Sequence, residues 1–195
     1  EKNVRFLTEL YPQDENVRLL QTKIDSSKRD YAKAIETLSE IADASPHREV
    51  VVDLAVNQWV AGDRQSAIAG LELWANDHPE DWRVQMTLAD FYRAENQVEQ
   101  AKAIYERLEQ AKPNDPEVLN NLAWMFKDDD PATGIKFATQ ANELAPANPF
   151  ILDTLAILQL ANNQPEDALE NARKAAEGAP DVWLIQYNLG TVLSR

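Results

Sequence analysis

Six prolines recur along the chain at a nearly constant interval: Pro12, Pro46, Pro79, Pro113, Pro146 and Pro180, separated alternately by 34 and 33 residues. Proline fixes φ and removes a backbone donor, so it belongs in turns and at helix starts rather than inside helices. Its return at a fixed interval means that the chain turns at the same point of one unit after another. A period of this length marks a stacked repeat, and it constrains the fold more than any other feature here. Two more columns keep the same step. Leu54, Leu88, Leu122, Leu155 and Leu189 are each followed by a small residue, Ala55, Ala89, Ala123, Ala156 and Gly190. A second small column runs Ala34, Ala67, Ala101, Gly134 and Ala168.

Between the prolines, apolar residues return at helical spacing, as in Ala101, Ile104, Tyr105, Leu108 and Ala111. Only 5 Gly and no Cys occur, and Ala, Leu, Glu and Gln abound, which suits helices throughout. Each unit therefore reads as two helices. First helices are expected over 16–27, 48–61, 82–95, 116–128, 149–162 and 183–194, and second helices over 30–44, 64–77, 98–111, 131–144 and 165–178. Gly62, Asn96 and Asn163 stand between paired helices, where a left-handed residue ends the first one. Asp115-Pro116, Asp130-Pro131, Asn148-Pro149 and Gln164-Pro165 read as a cap residue followed by proline at the first helical position. The small columns mark places where helices cross closely, since only a residue with almost no side chain permits the shortest approach.

In domain terms, 1–12 reads as the second helix of a truncated repeat, 15–47, 48–81, 82–115, 116–148 and 149–182 as repeats, and 183–195 as the first helix of a further one. Together, 1–195 is expected to form a single solenoid, a piece of a longer array. Its last apolar residues, Leu189, Val192 and Leu193, offer a surface for end-to-end self-association.

The pattern resembles the tetratricopeptide repeat (TPR) family. The clearest unit is WRVQMTLADFYRAENQVEQAKAIYERLEQAKP, residues 82–113, with the pair Leu88-Ala89, the aromatics Tyr92 and Tyr105, the small Ala101 and the closing Pro113. Two units depart from it: Gln21 and Thr22 stand where the Leu-small pair belongs, and the unit 116–148 loses one residue in its turn at KDDDP. The resemblance covers essentially the whole chain and implies an all-α fold, a right-handed superhelical solenoid of helix-turn-helix repeats. It also implies a non-enzymatic scaffold whose first helices line a concave groove. The positions matching that groove are Trp59, Arg83, Met86, Asp90, Arg93, Asn120, Trp124, Lys127, Asp153, Ile157 and Tyr187. Trp59 and Trp124 either face a partner there or fill space between first helices. Trp74 falls in a core column, and Trp82 and Trp183 are expected to wedge between repeats.

A narrower resemblance rests on NNLAWMF (120–126), APANPFILDTLA (145–156) and IQYNLG (185–190). These are similar to TPR lipoproteins and periplasmic TPR segments of bacterial exopolysaccharide export systems, including those that accompany PEP-CTERM sorting, although Ala156 and Ile157 replace the usual Gly and Trp. This resemblance implies a periplasmic or outer-membrane-associated protein of a Gram-negative bacterium, with a cytoplasmic location as the alternative. It also brings in polysaccharide as an alternative ligand. The carboxylate clamp of chaperone-binding members is absent: Asn121 matches one Asn, but Met86, Asp90, Phe150 and Thr154 stand where Lys, Asn, Lys and Arg would be.

A net charge of −14 works against nucleic acid and anionic lipid, whose phosphates need a basic surface. The acidity reads first as a solvated, self-repelling surface, and the sharper alternative is a basic or mixed protein or peptide partner. No run is long and apolar enough to span a bilayer. No cofactor or metal is expected. His47 and His78 flank repeat prolines as solvated loop residues, Asp130 in the run Asp128-Asp129-Asp130 serves as a helix cap, and no phosphate loop or nucleophile elbow occurs.

Overall fold

A computed structural model describes residues 2–195. Glu1, at the start of the expected 1–12 helix, lies outside the described residues. Among those residues there are twelve helices and no strand, ordered α1 (Lys2–Leu10), α2 (Glu15–Ser27), α3 (Tyr31–Ala44), α4 (Arg48–Ala61), α5 (Arg64–Asp77), α6 (Trp82–Ala94), α7 (Val98–Ala111), α8 (Pro116–Trp124), α9 (Pro131–Leu144), α10 (Pro149–Ala161), α11 (Pro165–Gly178) and α12 (Trp183–Leu193). The fold is an all-α helical repeat. The chain divides into two compact units, 1–92 and 93–195, with the boundary near the end of α6.

Local chemistry explains where the helices begin. Asp14, Asp30, Asp63 and Asp130 each accept a hydrogen bond from the backbone N–H three residues on. Asp115 accepts from Glu117 and Val118, and Asn148 accepts from Phe150. Each carboxylate or amide thereby satisfies an N–H that the first helical turn leaves without a partner. Gln164 differs from the expected cap. It makes no capping hydrogen bond, and its side-chain oxygen instead accepts from Asn162 Nδ2 at 3.1 Å. His47, expected as a solvated loop residue, is a cap: its Nδ1 accepts from Val50 N at 3.3 Å, while Nε2 lies 3.0 Å from Glu15 Oε1.

Helix ends follow the turn chemistry as well. Gly62, Asn96 and Asn163 all have positive φ, as their positions require, and Arg29 occupies the same place in the first pair with φ 63°. One first helix stops a full turn short of its expected range, while α6, α10 and α12 end within one residue of theirs. α8 ends at Trp124 rather than near 128, and the chain tightens through Met125→Leu122, Phe126→Ala123 and Lys127→Trp124 backbone bonds of 3.0 to 3.2 Å. These close i to i−3, the tighter 3₁₀ pattern. The unit is one residue shorter at KDDDP, so the last turn is wound more tightly to reach the Asp130 cap.

In unit 1, Leu38, Ile41 and Val50 form a core against which Leu19 and Leu54 pack. Where the first pair lacks the Leu-small signature, polar bonds replace apolar fill. Gln21 Nε2 donates to the buried Asp25 at 2.8 Å, Lys33 Nζ approaches the other Asp25 oxygen at 3.4 Å, and Ser26 Oγ donates to Asn57 Oδ1 at 2.6 Å. In unit 2, Leu119, Ala123, Ala138, Ala141, Ile151, Leu155 and Leu158 make one cluster, and Ala156, Ala168, Ala172 and Val192 another. The small columns sit in these crossings: Ala55, Ala89, Ala123 and Ala156 are buried, as are Ala34, Ala67, Ala101 and Ala168. Gly190, at the equivalent place in α12, is exposed. At Gly134 the crossing leaves no room for a side chain, since an added Cβ would lie 2.8 Å from both the Ala123 carbonyl oxygen and Leu158 Cδ2. Among the described residues, no helix is long and apolar enough to cross a membrane.

Candidate functional site

The first helices of the two units present different surfaces. In unit 1, Trp59 on α4 stacks on Phe91 of α6, with ring centroids 4.1 Å apart and planes 21° from parallel, and the Arg64 guanidinium lies 5.3 Å from the Trp59 ring. Much of that indole face is thus taken by packing. Met86 is 6 % exposed and contributes to the core rather than to a surface. Arg83 is exposed, with its guanidinium over Trp82 at 5.2 Å, and Asp90 is half-buried. Tyr92, buried at the end of this unit, donates its hydroxyl hydrogen bond to Glu72. Burial and that carboxylate together raise the phenol's pKa.

In unit 2, Arg93 is exposed, α8, α10 and α12 carry Asn120, Trp124, Asp153, Ile157 and Tyr187, and Lys127 lies in the turn after α8. Trp124 is half-buried beneath the Lys127 ammonium, 5.3 Å from the ring, and Lys127 also meets Asp128 at 3.4 Å. Lys127 and Ile157 line a trough of about 710 Å³ with Leu160 and Thr191 at the C-terminal ends of these helices. Asp153 is 8 % exposed. Its Oδ2 accepts from Asn188 Nδ2 at 2.8 Å, while Oδ1 accepts no hydrogen bond. Burial raises its pKa and the Asn188 bond opposes that. Tyr187, by contrast, is 66 % exposed.

A separate cleft of about 410 Å³ opens between the N-terminal halves of α8 and α10, lined by Asn120, Asn121, Asn148, Phe150 and Ile151 among others. The Asn120 Oδ1 is buried there and accepts no hydrogen bond. Phe150 stands exposed at this cleft, and Leu184 occupies the equivalent place on α12. Reading the repeat for groove positions misses both, because an apolar residue on an amphipathic helix reads as core. The signal was present in the columns: the same position carries Glu49, Arg83 and Glu117 in earlier units and turns apolar only at Phe150 and Leu184. Trp183, expected as a wedge between repeats, is instead 74 % exposed. Trp82 is half-buried.

Among the described residues, no group of three or more His, Asp or Glu side chains converges as metal ligands would. Asp130 holds the Thr133 backbone N–H at 3.1 Å, and bonds from Thr133 lower its pKa. What unit 2 assembles is a surface of amide and aromatic groups.

Two family models described as tetratricopeptide repeat match residues 59–124 and 154–194. Among solved structures, a thermophilic TPR protein from Thermus thermophilus superposes with a TM-score of 0.73 at 19 % identity, over 93 % of this chain and 100 % of that one. MamA from Desulfovibrio magneticus RS-1 gives 0.71 at 16 % identity, over 86 % and 96 %. A tetratricopeptide repeat protein from Parabacteroides merdae ATCC 43184 gives 0.75 at 15 %, over 90 % and 70 %. Identities this low speak for the fold alone. No curated protein sequence matches the chain.

Proposed function

Because this chain belongs to the tetratricopeptide repeat family, we propose that it is a non-enzymatic scaffold that holds a segment of a partner protein along its first helices. The observation that carries this reading is the cleft between α8 and α10, lined by the half-buried Asn120, whose Oδ1 is buried and accepts no hydrogen bond, and by the exposed Phe150. A side-chain amide offers both a donor and an acceptor, the complement of a peptide unit. If the Asn120 side chain turns toward the cleft, a peptide N–H supplied there satisfies an oxygen that is costly to leave buried without a partner. Phe150 and Tyr187 then supply rigid apolar anchors of the kind that dominate interface energies. In unit 1, Arg83 and Asp90 are the expected positions that offer polar contacts on the same type of helix. The net charge of −14 favours a partner segment with basic residues.

The proposal extends to the compartment. The similarity of 120–126, 145–156 and 185–190 to export-system TPR segments supports action outside the cytoplasm, and detection of the native protein in a periplasmic or outer-membrane fraction tests that part separately.

The binding reading is tested with a peptide selected on the intact chain from a random-sequence library and titrated by calorimetry. Asn120→Ala and Phe150→Ala should each weaken binding by about tenfold, on the order of 1.4 kcal/mol, with the helical circular dichroism unchanged. Equal affinity in both variants would remove this cleft from the function. If oligosaccharides bind and no peptide can be selected, the ligand is a glycan and the scaffold reading is wrong.

A further inference from the structure

Comparing the repeats with one another exposes a second surface, on second helices rather than first. Three residues after the small column, the units carry Thr37, Gly70, Ile104, Phe137 and Asn171. Only α5 has no side chain there, and a Cβ built on Gly70 would meet nothing within 4 Å. Three residues further on, the units carry Glu40, Leu73, Arg107, Gln140 and Lys174. Four of the five are charged or polar, as an outward position requires. Leu73 alone is apolar, and it is 67 % exposed. A side chain has thus been withdrawn at one position while an apolar one has been placed in water at the next turn. Neither change helps α5 as an isolated helix: Gly in a helix interior costs about 1 kcal/mol relative to Ala.

Both residues border one crevice of about 470 Å³ within unit 1, between α3, α4 and α5. Its walls include Val51, Leu54 and Trp74, and its exposed acidic edge is formed by Asp43 and Asp77. Trp74 is held in place by two contacts, its Nε1 donating to Asp81 Oδ2 at 3.1 Å and its ring meeting the tilted ring of His78, another lining residue, at 4.0 Å between centroids. The crevice is therefore preformed, and no lysine or arginine lines it. Another copy of this chain, itself at −14, is a poor occupant for an acidic-rimmed pocket.

We propose that this crevice is a second docking site, taking a basic segment of a partner protein that inserts one large apolar side chain over Gly70 and sets lysine or arginine against Asp43 and Asp77. It uses different residues from the cleft between α8 and α10 and stands or falls independently of it.

The test uses the intact chain with two synthetic amphipathic peptides, one of leucine and lysine and one of leucine and glutamate, followed by amide NMR and fluorescence anisotropy. The lysine peptide should bind, with its largest shifts at Gly70, Leu73 and Trp74, and the glutamate peptide should not. Gly70→Leu, which fills the crevice from an open position, should weaken binding by about tenfold or more while leaving the melting temperature unchanged or raised. Leu73→Gln, which restores the residue type found at Gln140, should weaken it too. Asp43→Asn with Asp77→Asn should reduce both affinity and its salt dependence. Shifts confined to α8, α10 and α12, equal binding of the glutamate peptide, or affinity unaltered by Gly70→Leu and Leu73→Gln would each overturn the proposal.

Discussion

Asp153 shows how much a single residue's depth decides. It sits at a first-helix position where an exposed carboxylate would face a partner, yet it is buried with one oxygen bonded to Asn188 and the other accepting no hydrogen bond. Burial raises its pKa, so the folded state holds the proton more tightly than the unfolded chain. The sign follows from linkage: Asp153's favourable share of stability is fully present below the ordinary aspartate value of about 3.9 and is lost as pH rises through the raised folded value. Asp153→Asn, which keeps an acceptor for Asn188 without the charge, should therefore raise the melting temperature of unit 2 at neutral pH. That advantage should vanish in thermal melts taken below the ordinary aspartate value. A lower melting temperature for the variant at neutral pH would mean that the charge itself is needed. This depth was not legible beforehand. Met86 and Asp153 share a column with Asn120 and Tyr187, but the column fixes only a direction around the helix and not how far the neighbouring helices close over it.

At the level of helices, the proline and small-residue columns located nearly every element, because the turn chemistry is local. α4, α5, α7, α9 and α11 occupy the expected ranges, and Gly62, Asn96 and Asn163 have the backbone conformation their residue types suit. The misses were also local in origin. α8 shortens because one deleted residue must be absorbed before the Asp130 cap, and Gln164 fails to cap because its longer side chain turns to Asn162. The crossing of α8 and α9 gives the sharpest test of the packing account. Ala123 lies fully buried where the Gly134 backbone passes close to its carbonyl, so Ala123→Leu should cost about 1 to 3 kcal/mol by overpacking. Its neighbour Leu122 fills space instead, and Leu122→Ala should cost about 2 to 5 kcal/mol by leaving a cavity. Urea denaturation followed by circular dichroism measures both. Two near-neutral results would mean that the crossing is misassigned.

Over the whole molecule, the repeat explains why fold and function were unequally readable. Each helix pair is specified by a few residues that recur, so the architecture could be read from their spacing. A binding surface is specified by departures from the repeat, such as Phe150 and Leu184 where charges stood before, or Gly70 and Leu73 on α5. Departures carry meaning only once the structure shows which of them reach solvent. The central claim is that the first helices of residues 93–195 hold a partner segment, and hydrogen exchange measured on the chain with and without a library-selected peptide tests it most directly. Slowed exchange concentrated in α8, α10 and α12, with α9 and α11 unaltered, is the predicted result. Protection falling on α9 and α11 instead, or nowhere in these residues while the peptide is bound, would contradict it.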